Sequence, residues 1–203
     1  MPRRSILLFA GLCIALSVAL AVGVVVVVTG RDRAAQAAAG QAAIGGPFQL
    51  VDQDGRRVDQ TLLNGKWSLV FFGFTACPDF CPTTLSTLKV VQDQLGEDAR
   101  NLQIVFVSID PARDTPQMLK DYLSSDGFPE GVIGLTGTPE QVAAAADAYR
   151  AYYEKVGEGE AYTMNHSLTV YLMGPDGKFR SAIANDLGPD RSVEVLRRVM
   201  ARG

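Results

Sequence analysis

Cys77 and Cys81 stand in the run Phe71-Phe72-Gly73-Phe74-Thr75-Ala76-Cys77-Pro78-Asp79-Phe80-Cys81-Pro82. The apolar residues before Gly73 deliver both cysteines onto a loop, and Pro82 is predicted to open a helix. Its fixed φ suits the first helical position, where a missing N–H is no loss, and its ring drives the preceding residue out of the α region. That reading places both cysteines ahead of the helix proper, with Cys81 near the N-cap. Unpaired N–H groups and the positive end of the helix dipole there favour a thiolate over a thiol. A thiolate binds metal or attacks a disulfide, so C-x3-C reads as a dithiol site; a plain structural disulfide closing a small loop is the simpler alternative.

A third donor is available in His166, the one histidine of the chain. It stands where a loop enters a predicted strand, a place where sites gather. Two thiolates and an imidazole form a soft, low-coordinate set that suits copper(I) and, through the imidazole, also copper(II). Zinc would want a fourth ligand or a water. Met164 could add a thioether, although core packing explains it more simply. Asp79, between the cysteines, either adjusts their acidity or is a solvated loop carboxylate. The segment Asp110-Pro111-Ala112-Arg113-Asp114-Thr115-Pro116 is denser in charge than a turn needs. It reads as a capped strand-to-helix connection with an Arg–Asp pair, or as support for the ligands or a docking point for a partner.

Several elements must position these residues. Phe48 to Val58 is predicted to form a hairpin turning at Asp54-Gly55. Trp67–Phe72 and Leu102–Ile109 are continuous apolar runs, the pattern of central strands buried on both faces. Leu85, Leu88, Val91 and Leu95 recur at helical spacing up to Gly96. Thr115-Pro116 and Thr138-Pro139 each give an N-cap with proline at the first helical position. The second of these helices is read through Tyr149 as far as Tyr153, and Gly157-Glu158-Gly159-Glu160 as a flexible loop. Ser167–Met173 and Phe179–Ala184 are strands joined at Pro175-Asp176-Gly177. A final amphipathic helix covers Ser192–Arg202. Alternating strands and helices make an α/β domain with a mixed central sheet.

The 203 residues allow one ordinary domain with appendages. Ile6 to Val28 carries no charge over 23 residues, about 34 Å as a helix, enough to cross a bilayer. The segment exceeds the apolar core of a cleavable signal, so an uncleaved anchor is expected. Arg3 and Arg4 ahead of it favour a cytoplasmic N-terminus and an external domain. Cys13 falls inside the span and is read as inert. The expected organisation is an anchor at 1–30, an Ala/Gln/Gly-rich linker at 31–46 and a globular domain at 47–203. Of 19 basic and 22 acidic side chains, setting aside Arg3, Arg4, Arg31, Arg33 and Asp32 leaves 15 against 21, or −6. With no basic stripe, nucleic acid is not an expected partner.

Taken together, the ordered stretches Gly73-Phe74-Thr75 through Pro82, Ser108-Ile109-Asp110-Pro111 with Arg113-Asp114-Thr115-Pro116, Gly134-Leu135-Thr136-Gly137, and His166-Ser167 through Pro175-Asp176-Gly177 resemble the Sco/SenC family. The family's proteins are membrane-anchored, copper-binding and thioredoxin-like in fold. The resemblance implies that Cys77, Cys81 and His166 are copper ligands, with Asp79, Asp110, Arg113, Asp114 and Asn165 as candidates for supporting them or docking a partner. Asn165 departs from the acidic residue that many members carry before the histidine. The implied partners are the copper-centre subunit of cytochrome c oxidase and other copper chaperones, met by a monomeric domain. The implied location is the bacterial inner membrane with the domain in the periplasm, or alternatively the mitochondrial inner membrane facing the intermembrane space.

With the oxidase copper centre that the resemblance implies, the same residues suit two functions. The first is a copper metallochaperone, a binding protein rather than an enzyme, for the binuclear copper centre of the oxidase. The second is a membrane-anchored thiol–disulfide oxidoreductase in which Cys77 and Cys81 form a redox-active disulfide and act on the cysteines of that centre. The C-x3-C spacing, rather than the C-x-x-C of thioredoxin-like redox motifs, favours the first.

Overall fold

A computed structural model describes residues 44–202 apart from Asn185. The predicted span at Ile6–Val28, Cys13 and residues 31–43 of the predicted linker lie outside the described residues. Among the described residues no helix is long and apolar enough to cross a membrane.

The sheet grows outward from β3 (Trp67–Gly73), whose seven residues are all buried. That is the behaviour expected of an unbroken apolar run in a central strand. Beside it β4 (Leu102–Ser108) and β5 (Ile133–Thr136) run parallel. On the other side lie the antiparallel β8 (Val170–Met173) and β9 (Phe179–Ile183). The hairpin β1 (Gln49–Asp52) and β2 (Arg57–Asp59) completes the order β2-β1-β5-β4-β3-β8-β9. Phe71 meets Phe106 edge to face at 5.0 Å, under α1 (Phe80–Leu95) and α2 (Pro116–Leu123). On the opposite face Phe72 packs on Tyr149 of α3 (Pro139–Tyr149), the two ring centroids 5.4 Å apart. The last helix, α4 (Pro189–Met200), packs against α1. Its start, three residues ahead of the expected Ser192, follows the same Pro-at-N1 rule.

Register sets up the site. Gly73 pairs with Ser108, so β3 and β4 end side by side, and the Ile109 N–H donates to the Gly73 carbonyl at 2.8 Å. The loops that follow both strands therefore leave from one point at the carboxyl end of the parallel sheet, where ligands of α/β sheets bind.

The strand expected from Ser167 begins at Val170, and three further local expectations change. Helix α1 begins at Phe80, so Pro82 sits third rather than first and Cys81 lies inside the first turn. Nothing conflicts, because every N–H of the first turn lacks an intrahelical partner. Helix α3 stops at Tyr149, because Arg150 adopts a left-handed φ of 55° and the Ala151 N–H returns to the Ala146 carbonyl at 2.9 Å. Tyr153 therefore belongs not to the helix but to β6 (Tyr153–Val156), which pairs with β7 (Thr163–His166). The glycines 157 and 159 form the tip of this separate two-stranded hairpin, and His166 ends its second strand.

Candidate metal centre

Cys77, Cys81 and His166 bring their ligand atoms within 4.8 Å of one another. Each arrives on a different piece of chain. Cys77 closes a turn after β3, its N–H donating to the Phe74 carbonyl at 3.2 Å. Cys81 sits in the first turn of α1 and spends its otherwise unpaired N–H on the Cys77 Sγ at 3.5 Å. His166 comes from the β6–β7 hairpin and places Nε2 3.8 Å from the Cys81 Sγ. Both cysteines are free thiols and nearly buried, at 8% and 1% exposure.

The imidazole is oriented from both sides. Its Nδ1 lies 3.0 Å from the Ser167 carbonyl. A carbonyl only accepts, so Nδ1 carries a hydrogen, and Nε2 is the ring nitrogen turned toward the sulfurs. Phe74 meets the ring edge to face, centroids 5.8 Å apart. Gly73 supplies the space: a Cβ there would lie 2.6 Å from the Cys81 Sγ and 2.9 Å from Phe106. A side chain at 73 would thus push Cys81 out of the group.

The two sulfurs share one proton unequally. Cys77 is held down to about 4, first by the Cys81 side chain beside it, then by the N–H groups of Cys81 and Asp79 and by His166, against the opposing effect of burial. Cys81 is pushed far above the ordinary thiol range by the Cys77 thiolate and by burial. The folded Cys77 value lies below its unfolded one, so its contribution to stability is complete above the ordinary thiol range and is lost as pH falls toward 4. An ultraviolet thiolate titration of the reduced protein should accordingly show one thiolate per dithiol at neutral pH. The signal should vanish only as pH approaches about 4, and in Cys81→Ala the transition should move up toward ordinary thiol values. A single step in the ordinary thiol range for the unaltered protein would contradict this arrangement.

The charged segment after β4 turns out to be a brace. The Asp114 carboxylate, fully buried, accepts from the Thr75 N–H at 3.1 Å, the Thr75 hydroxyl at 2.6 Å and the Ser108 hydroxyl at 2.6 Å. It thereby ties the cysteine loop to the end of β4. Burial pushes its carboxyl up, and these three donors pull it back. Asp110 and Arg113 form an ion pair, nearly buried on the aspartate side, and turn toward Tyr162 at the start of β7. Asp79 is exposed; its carboxylate lies 3.4 Å from the Thr83 hydroxyl, and its backbone N–H, not its side chain, acts on Cys77. Asn165 is exposed opposite Glu154, on the face of β7 away from His166. Met164 is buried core. Phe74, Thr75 and Ser108 stand in the stretches that carry the resemblance but are not singled out there as parts of the site, and Tyr162 has no such signal.

Among the described residues the cluster contains three donors, two sulfurs and one nitrogen. That set fits a soft, low-coordinate metal better than a closed tetrahedral zinc site.

The sequence profile described as SCO1/SenC matches residues 36–201. The mitochondrial SCO1 homolog 1 of Arabidopsis thaliana is 45% identical over 143 residues, which are 70% of this chain and 42% of that protein. Mitochondrial SCO2 of Saccharomyces cerevisiae is 38% identical over 173 residues, 83% of this chain and 57% of its own. The chain thus spans about half the length of these two relatives. Among solved structures, Bradyrhizobium japonicum ScoI with copper bound is 43% identical with a TM-score of 0.71, over 77% of this chain and 99% of that one. BsSco, in which a disulfide switch was identified within a family described as cytochrome c oxidase assembly proteins, is 25% identical with a TM-score of 0.63, over 79% and 94%. The mixed sheet and its flanking helices match these thioredoxin-like Sco structures, and the chain belongs to the SCO1/SenC family.

Proposed function

We propose that this protein is a copper metallochaperone that takes copper on Cys77, Cys81 and His166 and passes it to the binuclear copper centre of cytochrome c oxidase. The observation that carries the reading is the convergence of two sulfurs and one imidazole nitrogen within 4.8 Å. Copper bound in the Bradyrhizobium relative supports it. Cys77 is ready as a thiolate, and binding displaces the proton from Cys81, so affinity falls with falling pH. The apolar segment at 6–28 serves as the anchor and residues 31–46 as its tether, with the domain from 47 onward facing the bacterial periplasm or, in a mitochondrion, the intermembrane space.

The second reading, thiol–disulfide exchange with the cysteines of the same copper centre, draws on the pairing of a low thiolate with a protonated neighbour and on the switch in BsSco. His166→Ala separates the two. Loss of one ligand should weaken copper retention by more than about 100-fold, the upper range for removing a mere outer partner of a ligand. Reduction of a disulfide peptide from the oxidase copper site should be much less affected. Turnover of that peptide with no transfer of copper to it would favour the oxidoreductase.

A further inference from the structure

Among the described residues the hairpin that carries His166 is joined to no other strand: β6 and β7 form a sheet of their own. A lone two-stranded hairpin is marginal in water, so side-chain contacts must hold this one in place. At its base the Ser167 N–H donates to the Tyr152 carbonyl at 2.9 Å, and Met164 is buried in the core. At its tip the work falls to Tyr162. The phenol hydroxyl donates to the Asp110 carboxylate at 2.6 Å. The Arg113 guanidinium lies over the ring at 3.8 Å and donates Nη1–H to the Tyr162 carbonyl at 3.0 Å. Lys155, on the paired strand, lies 3.8 Å from the same ring. Arg113 and Asp110 also hold each other, so one carboxylate and one guanidinium grip a single residue by hydroxyl, ring and carbonyl. The same guanidinium stands 5.8 Å from Phe74, the ring that buttresses His166.

We propose that Tyr162, clasped by Asp110 and Arg113, is the positioning residue that keeps the β6–β7 hairpin closed and thereby holds His166 over the dithiol. As part of a metal site this rests on the copper reading above; as a clasp on the hairpin it stands on the metal-free fold alone. The clasp also couples the two halves of the site. The turn that binds Tyr162 through Asp110 and Arg113 binds the cysteine loop through Asp114, four residues along from Asp110. Imidazole and thiols are thus set against one common support.

The test uses the 203-residue chain with Tyr162→Phe, which removes one hydroxyl and keeps the ring, and with Arg113→Lys, which keeps the charge but loses the fork. In the reduced, metal-free protein, amides of residues 153–166 should exchange about tenfold faster or more, as expected when a hydrogen bond to a charged group is lost, while those of β3 and β4 stay unchanged. With copper(I) loaded, release should speed up by a similar factor in either variant. In a His166→Ala background the same change should add little, because the clasp acts through His166. Unchanged hairpin exchange in both variants would overturn the proposal. So would equal acceleration of copper release with and without His166. If the unaltered protein holds no copper, the copper reading falls, and the exchange measurement alone decides the clasp.

Discussion

Replacing Cys81 with serine is expected to reduce copper from one per chain to a trace after dialysis against a competing thiol. Two effects act together. Serine removes a soft donor, and its hydroxyl does not ionise near neutral pH, so the site loses a charge as well as a ligand. The serine hydroxyl can still donate to the Cys77 sulfur, so the loss lies in the missing donor rather than in the acidity of Cys77. What is left, one sulfur and one imidazole, offers two donors where three converge now. Since removing a mere partner of a ligand costs about 10–100-fold, loss of the ligand itself should exceed about 100-fold. Stability should change little, by about 1 kcal/mol, because serine is close in size and the Gly73 cavity that receives residue 81 is unaltered. Copper per chain measured beside a denaturation curve checks both parts. Full copper retention by Cys81→Ser would remove the dithiol from the site.

The largest effect on the fold is expected at Asp114. Asp114→Ala leaves the Thr75 N–H, the Thr75 hydroxyl and the Ser108 hydroxyl without their buried acceptor. Each orphaned buried group costs about 1–3 kcal/mol, less whatever water or rearrangement recovers. A net loss of about 3–5 kcal/mol is expected from three stranded donors after partial recovery. Asp114→Asn should fall between, since an amide has one acceptor oxygen for three donors. Denaturant unfolding of the reduced, metal-free protein would show a lower midpoint with an unchanged slope. A shift within about 1 kcal/mol for Asp114→Ala would mean that this brace contributes little.

The sequence displayed the three-donor cluster and most of its scaffold because both depend on local patterns. An all-apolar β3, prolines in first turns and a glycine after α1 each act within a few residues of themselves. The C-x3-C pair is likewise local, and His166 drew notice as the one histidine. Contacts between distant segments left no such trace. Arg113 and Tyr162 lie 49 positions apart, and Thr75 and Asp114 lie 39 apart. Charge density flagged Asp110, Arg113 and Asp114 together, but only the turn's conformation assigns the first two to the hairpin and the third to the cysteine loop. The hairpin itself escaped because Tyr-Glu-Lys-Val and Thr-Met-Asn-His are four-residue strands with little apolar alternation. The end of α3 escaped because its left-handed residue is an arginine, where a glycine would have announced it.

The coordination of copper itself is the most direct question, and X-ray absorption at the copper edge answers it. The reduced protein, loaded anaerobically with one equivalent of copper(I), should show two sulfur neighbours and one nitrogen. His166→Ala should remove the nitrogen and keep both sulfurs. A sulfur-only shell in the unaltered protein, or a spectrum that His166→Ala leaves unchanged, would contradict a three-donor copper site built from Cys77, Cys81 and His166.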